Sequence, residues 1–225
     1  MIIFVLLRGA VLSQRDNKQG VLMKIIMITG GSASGKSTVS DLLSNVLACP
    51  VLKEDDYYHD NAATPGFDPA RFDFDDISAR DHALLVMHLK ALKQGQAVDR
   101  PCYCFKSHSR QSRTIRLLPT SYIVLEGMHL LCHEEIRQLV DYSIYIDVPD
   151  DVRLSRRLLR DVRERQRSIE SVIDQYLSSV RPAHLKLIAP SKQYADFILQ
   201  PALDGEIKNV LLDPVLKALH LVELY

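Results

Sequence analysis

"GGSASGKST" occupies residues 30–38, between the apolar run "KIIMIT" (24–29) and "VSDLLSNVL" (39–47). Residues 30–37 satisfy G-x-x-x-x-G-K-[S/T]. Each position has a physical reason. Gly30, Gly31 and Gly35, with Ser32, Ala33 and Ser34 between them, let backbone N–H groups converge on phosphate oxygens, and a helix N-terminus adds positive dipole. Lys36 is placed to reach the β- and γ-phosphates, Ser37 to offer a hydroxyl to Mg²⁺, and Thr38 closes the loop. The run before the loop is apolar and bounded by glycine, as in a buried parallel strand. Behind it, Val39, Leu42, Leu43 and Val46 recur at helical spacing. Strand, loop and helix together predict a nucleoside triphosphate site, with ATP favoured over GTP. A guanine-reading N-K-x-D would have to follow the loop; "NKQG" (17–20) precedes it and lacks the aspartate.

Outward from the loop, short apolar strands alternate with helices. "VLK" (51–53), "YIVLEG" (122–127), "YSIYIDV" (142–148) and "DFIL" (196–199) read as four more buried strands. Helices are expected over "ARDHALLVMHLKALKQG" (79–95), over about 150–188 with breaks, and over "IKNVLLDPVLKAL" with a kink at Pro214. Residues 54–78 are acidic, aromatic and carry Pro and Gly, which reads as a functional loop rather than a core element. "AVDRPCYCF" and "RTIRLL" flank a polar turn, hence a small antiparallel hairpin inserted at about 97–118. The expected fold is α/β: a five-stranded parallel sheet of the P-loop NTPase type flanked by helices, with a β-hairpin insertion and an Arg-rich helical lid at about 151–170.

Composition narrows the function classes. Lys plus Arg total 28 and Asp plus Glu total 28, so nothing draws the chain as a whole to nucleic acid or an anionic membrane. The four cysteines show no C-x-x-C pair, which argues against zinc and fits a reducing, cytoplasmic setting. "MIIFVLLRGAVL" is too short to span a bilayer and lacks a basic n-region. With Met23 directly before the first strand, residues 1–22 read as a dispensable extension and 23–225 as one domain. A membrane or partner anchor is the rival reading of that segment.

Candidate chemistry clusters where strands end. Glu126 closes "YIVLE", where an acid organising Mg²⁺ belongs. Asp55 and Asp56 follow the second strand, where ligands bind in open α/β sheets, and a kinase needs a carboxylate there to orient and deprotonate its acceptor hydroxyl. "DVRLSRRLLRDVRERQR" (151–167) holds seven arginines. Arg156, Arg160, Arg163 and Arg167 fall on one stripe if the segment is a continuous helix. Such a stripe serves as a solvated face, a nucleic-acid surface or a closing lid. Beside a phosphate loop the lid gains weight, because phosphoryl transfer needs guanidinium groups on the migrating charge.

The chain resembles the uridine kinase (uridine–cytidine kinase) family in "GGSASGKST", "LKEDDYY", "FDF" followed by Asp75, "PCYCFKSHSR", "VLEG", "RLSRRLLRDVRERQR", "DQY" and "PSKQYADFIL". These cover roughly residues 24–200 in the family's order. The resemblance implies Asp55 as general base for a ribose 5′-hydroxyl, lying near Mg²⁺. It implies Asp75 and Arg157 on the ribose hydroxyls, Tyr103 and His108 against a pyrimidine, Arg167 and Gln175 completing the nucleoside pocket, and Arg160 reaching the ATP phosphates. It also implies a small-molecule nucleoside as the partner and allows a homo-oligomer. The sequence departs from the family pattern at Cys104, where Asp is usual, and at Gln166, where Gly is usual. "DDISARD" replaces a proline soon after Asp75, and "QPALDGEIKN" replaces a terminal Arg-Gly loop. The expected activity is ATP-dependent phosphorylation of a pyrimidine ribonucleoside. A kinase of another ribosyl or sugar substrate, or a non-catalytic nucleotide-binding regulator, stands as the alternative.

Overall fold

A computed structural model describes residues 23–61, 64–68, 72–105 and 107–201. Residues 1–22 and the helix expected around Pro214 lie outside the described residues. Five parallel strands form one sheet in the order β2 (Val51–Lys53), β5 (Tyr122–Glu126), β1 (Lys24–Gly30), β6 (Tyr142–Ile146) and β7 (Phe197–Leu199). β1 is central, with Ile26 opposite Val124 on one side and Tyr142 on the other. Its side chains alternate between two cores. Ile25 and Met27 pack with Leu85, Leu89 and Leu92 of α2 (His82–Lys93); Ile26 and Ile28 pack with Val39 and Leu43 of α1 (Lys36–Leu47). Both faces are covered, which explains why the strand is apolar throughout instead of alternating. The strands all end at one edge, so the loop after β1, the turn after β2 and the end of β5 meet there.

β3 (Val98–Cys104) and β4 (Ser109–Leu117) form the separate antiparallel hairpin, with an irregularity between Pro101 and Tyr103. α2 starts three residues later than the pattern suggested, because Asp81 caps it by accepting from Leu84 N at 3.0 Å. α3 (Glu134–Leu139), too short to announce itself by periodicity, lies before β6.

Two expectations need correction. The segment after β2 is not only a surface loop: Glu54–Tyr57 forms a 3₁₀ turn, and Tyr57 is fully buried in the core with its hydroxyl 2.8 Å from His88 Nδ1. The arginine stripe is also broken. α4 (Asp150–Arg163) ends before Arg167, and Gln166 takes a left-handed conformation with φ 56°. Arg167 therefore re-enters from a turn, its N–H bonded to Asp161 O at 3.1 Å. The arginines that α4 buries are Arg153 and Arg157, which the stripe omitted. α5 (Ile169–Gln175) continues as a helical run to residue 191, including two π-helical stretches, Tyr176–Val180 and His184–Ile188.

Candidate active site

The strand edge opens into a cleft of about 1690 Å³. Its floor is the phosphate loop. Gly30 (φ 143°) and Gly35 (φ 100°) take backbone angles that side chains resist, and a Cβ on Gly30 would lie 2.6 Å from Ile146 O. Lys36 curls back so that Nζ donates to Gly31 O at 3.0 Å. Burial lowers its pKa, while the carboxylates of Glu126 and Asp55 pull the other way.

At the loop's end the Ser37 hydroxyl donates to Glu126 Oε1 at 2.8 Å. Glu126 Oε2 is buried with no hydrogen-bond partner among the described residues. Burial raises the pKa of this carboxyl, against the opposing pull of Lys36 and Ser37. A hydroxyl and an orphaned carboxylate oxygen, with Asp55 lining the same cleft, are the hard oxygen donors that suit Mg²⁺.

Across the cleft, Asp75 is 7% exposed and accepts from Ser179 Oγ at 3.0 Å. Burial raises its pKa; the Arg157 charge opposes this. Arg157 joins two sides of the site, donating from Nη1 to Ser32 Oγ at 2.8 Å and from Nη2 to Gln175 Oε1 at 2.9 Å. Arg167 Nη1 reaches the same Gln175 oxygen at 2.5 Å. Arg160 lines the cleft and donates from Nε to Asp161 Oδ1 at 2.8 Å. Asp161 is fully buried, with Arg157, Arg160, Arg165 and Arg167 all within 3.7 Å. On the hairpin side His108 stacks on Phe74 with ring centroids 4.8 Å apart.

A model described as the phosphoribulokinase / uridine kinase family matches residues 25–207. The chain belongs to that family. It is 45% identical over 182 residues to a uridine kinase of Haemophilus influenzae (strain PittEE), covering 78% of this chain and 85% of that protein. A uridine kinase of Clostridium botulinum (strain Langeland / NCTC 10281 / Type F) is 43% identical over 195 residues, 83% of this chain and 95% of that protein. Among solved structures, phosphoribulokinase from Rhodobacter spheroides superposes with a TM-score of 0.59 at 16% identity, covering 84% of this chain and 75% of that one. D-glycerate 3-kinase from Cryptococcus neoformans gives 0.58 at 14%, covering 87% and 91%. At such identities the structures speak for the shared fold alone.

Of the residues that the uridine kinase pattern singled out, one stands apart. Tyr103 does not line the cleft; it packs behind it against Tyr58 (5.0 Å) and Phe105 (5.3 Å), and burial pushes its hydroxyl up to about 12. Phe105, His108 and Tyr58 form the cleft wall in front. Asp56, the second candidate after β2, is committed to an ion pair with Arg100 of the hairpin. Three contributors escaped the sequence reading. Ser179 carried a signal, lying one turn after Gln175 on the same helical face. Arg153, one turn before Arg157, is held by Val148 O at 3.1 Å and Asp150 Oδ1 at 2.5 Å and reaches Ser32 O of the phosphate loop at 3.5 Å. Arg80, in the "DDISARD" departure, binds Asp55 and carried no signal at all.

Proposed function

We propose that this protein is a nucleoside kinase that transfers the γ-phosphoryl group of ATP to the 5′-hydroxyl of uridine or cytidine. The observation that carries this reading is the meeting, in one cleft, of the Lys36–Ser37–Glu126 cluster with Asp55 and the Asp75–Arg157 pair. Ser37, Glu126 and Asp55 would hold Mg²⁺, which when bound neutralises charge on the phosphate oxygens. Lys36 and Arg160 supply fixed cations for the migrating phosphoryl charge. Asp55 orients the acceptor hydroxyl and takes its proton. Asp75 and Arg157 hold the ribose hydroxyls, with Arg167 and Gln175 closing that side. His108 faces the base edge. Its ring donates or accepts according to tautomer, so it accommodates the acceptor at the 4-position of uracil and the donor of cytosine. Residues 23–225 act as the catalytic unit on this reading.

The test is kcat/KM for uridine, cytidine, adenosine, guanosine and deoxyuridine with ATP and Mg²⁺. Uridine and cytidine should lead. Loss of the 2′-hydroxyl should cost about 1–3 kcal/mol, because buried partners are left unpaired. A purine nucleoside or a non-nucleoside sugar that outcompetes both pyrimidines would overturn the acceptor assignment.

A further inference from the structure

Arg80 is 4% exposed, and its guanidinium carries five N–H donors, all of which find acceptors. Nε and Nη2 donate to Asp55 Oδ1 at 3.2 and 2.9 Å. The other Nη2 hydrogen goes to Tyr58 Oη. Nη1 donates to Phe74 O at 3.3 Å and to His129 Nδ1 at 3.3 Å. The last contact fixes a tautomer: arginine cannot accept, so His129 Nδ1 must, and its proton sits on Nε2. Burial agrees, holding His129 neutral with a pKa of about 4.

The same network reaches the substrate side. Tyr58 Oη accepts from Arg80 and donates to Phe74 O at 2.9 Å. Phe74 O belongs to the peptide bond leading into Asp75, whose N–H donates to Asp73 Oδ1 at 2.9 Å. That peptide is pinned at both its carbonyl and its N–H.

We infer that Arg80 is a positioning residue for phosphoryl transfer, locking the Asp55 carboxylate and the backbone that carries Asp75 into one unit. The inference rests on the nucleoside-kinase reading above. Asp55 needs such a brace: its side chain is 52% exposed, so unheld it would sample several rotamers. Both Arg80 bonds end on Oδ1, which leaves Oδ2 as the oxygen outside the brace. In a loose transition state the nucleophile gives up its proton late, so direction matters more than base strength. Misplacing a reacting group by roughly 1 Å costs on the order of a hundredfold.

Arg80→Lys keeps a cation and most of the stem but cannot supply the fork. It should lower the single-turnover rate with saturating uridine by at least about tenfold. Binding of the non-hydrolysable analogue AMP-PNP should stay within about twofold, since no phosphate-loop contact is lost. Arg80→Ala should fall further, by about a hundredfold or more, and added guanidinium ion should restore part of the rate where methylammonium does not. If the alanine variant fails to fold, the lysine variant decides. Parent-like single-turnover rates in the variants overturn the inference alone. So does a fall matched by equally weakened AMP-PNP binding and a lower melting temperature, which marks a merely structural role. A parent chain that releases no ADP with any nucleoside overturns the kinase reading first, and this inference with it.

Discussion

A methyl group added at Gly31 would sit 2.4 Å from Arg153 Nη1 and 3.0 Å from His184 Nδ1. Arg153 cannot retreat, being 2% exposed and tied to Val148 O and Asp150. Gly31→Ala should therefore cost about 1–3 kcal/mol by overpacking and distort the loop that cradles phosphate. A lower melting temperature together with weaker AMP-PNP binding checks this; a variant that melts and binds like the parent would show that Arg153 yields. The glycine was legible in the sequence because the loop's demands are local. Its neighbour was not, since Arg153 lies far along the chain in a segment where every arginine looks alike. Arg80 is the harder case. Nothing distinguishes it locally from a loop arginine, and its partners Asp55, Tyr58, Phe74 and His129 converge only once the sheet edge is built.

At the scale of elements, the three central strands β1, β5 and β6 were readable because burial on both faces leaves a nearly continuous apolar run, and the short edge strands β2 and β7 by their place in the alternation with helices. The turn after β2 was misread for the opposite reason. "EDDYY" looks solvated, yet Glu54 is fully buried because its oxygens take His82 Nε2 at 2.7 Å and the N–H groups of Met128 and His129 at 2.7 and 3.2 Å. The end of α4 was missed because helical spacing extrapolates until a stop signal appears, and here Gln occupies the left-handed position. A side chain at φ 56° carries a backbone strain of about 1–2 kcal/mol that glycine avoids. Gln166→Gly should raise stability to denaturant by about 0.5–1 kcal/mol after the extra freedom of the unfolded glycine chain is counted. An unchanged or lower midpoint, with an unchanged slope, would show that the Gln166 side chain compensates for its backbone.

For the molecule as a whole, three histidines make folding sensitive to acid. Burial lowers His129, His133 and His184 to about 4 from an unfolded value of 6.5. Between those values the unfolded chain binds more protons than the folded one, so stability falls as pH falls. For His129 the effect is on the order of 3 kcal/mol. Glu54 is also opposed by its burial, but the His82 hydrogen bond and the Arg80 charge hold it well below the usual carboxylate range. Its contribution is present above about 4.5 and is lost at still lower pH, in the same direction. Asp75 and Glu126, raised by burial, work against the trend from the ordinary carboxylate range upward, where the folded chain still holds protons that the unfolded one has released. The melting temperature should therefore drop from pH 7 to pH 5, and His133→Gln should flatten that slope. A parent profile that is level across this interval would contradict the buried-neutral assignment.

Arg157 has one hand on Ser32 in the phosphate loop and the other on Gln175 of α5, and on the function proposed above these are the donor and acceptor sides of the cleft. A ligand that engages either hand changes what the other can hold. The affinities of the two substrates are then thermodynamically linked. Whatever factor bound nucleoside applies to the dissociation constant of ATP, bound ATP must return to the nucleoside in full. One guanidinium thus gives the two halves of the reaction a means of sensing each other before any bond is made or broken.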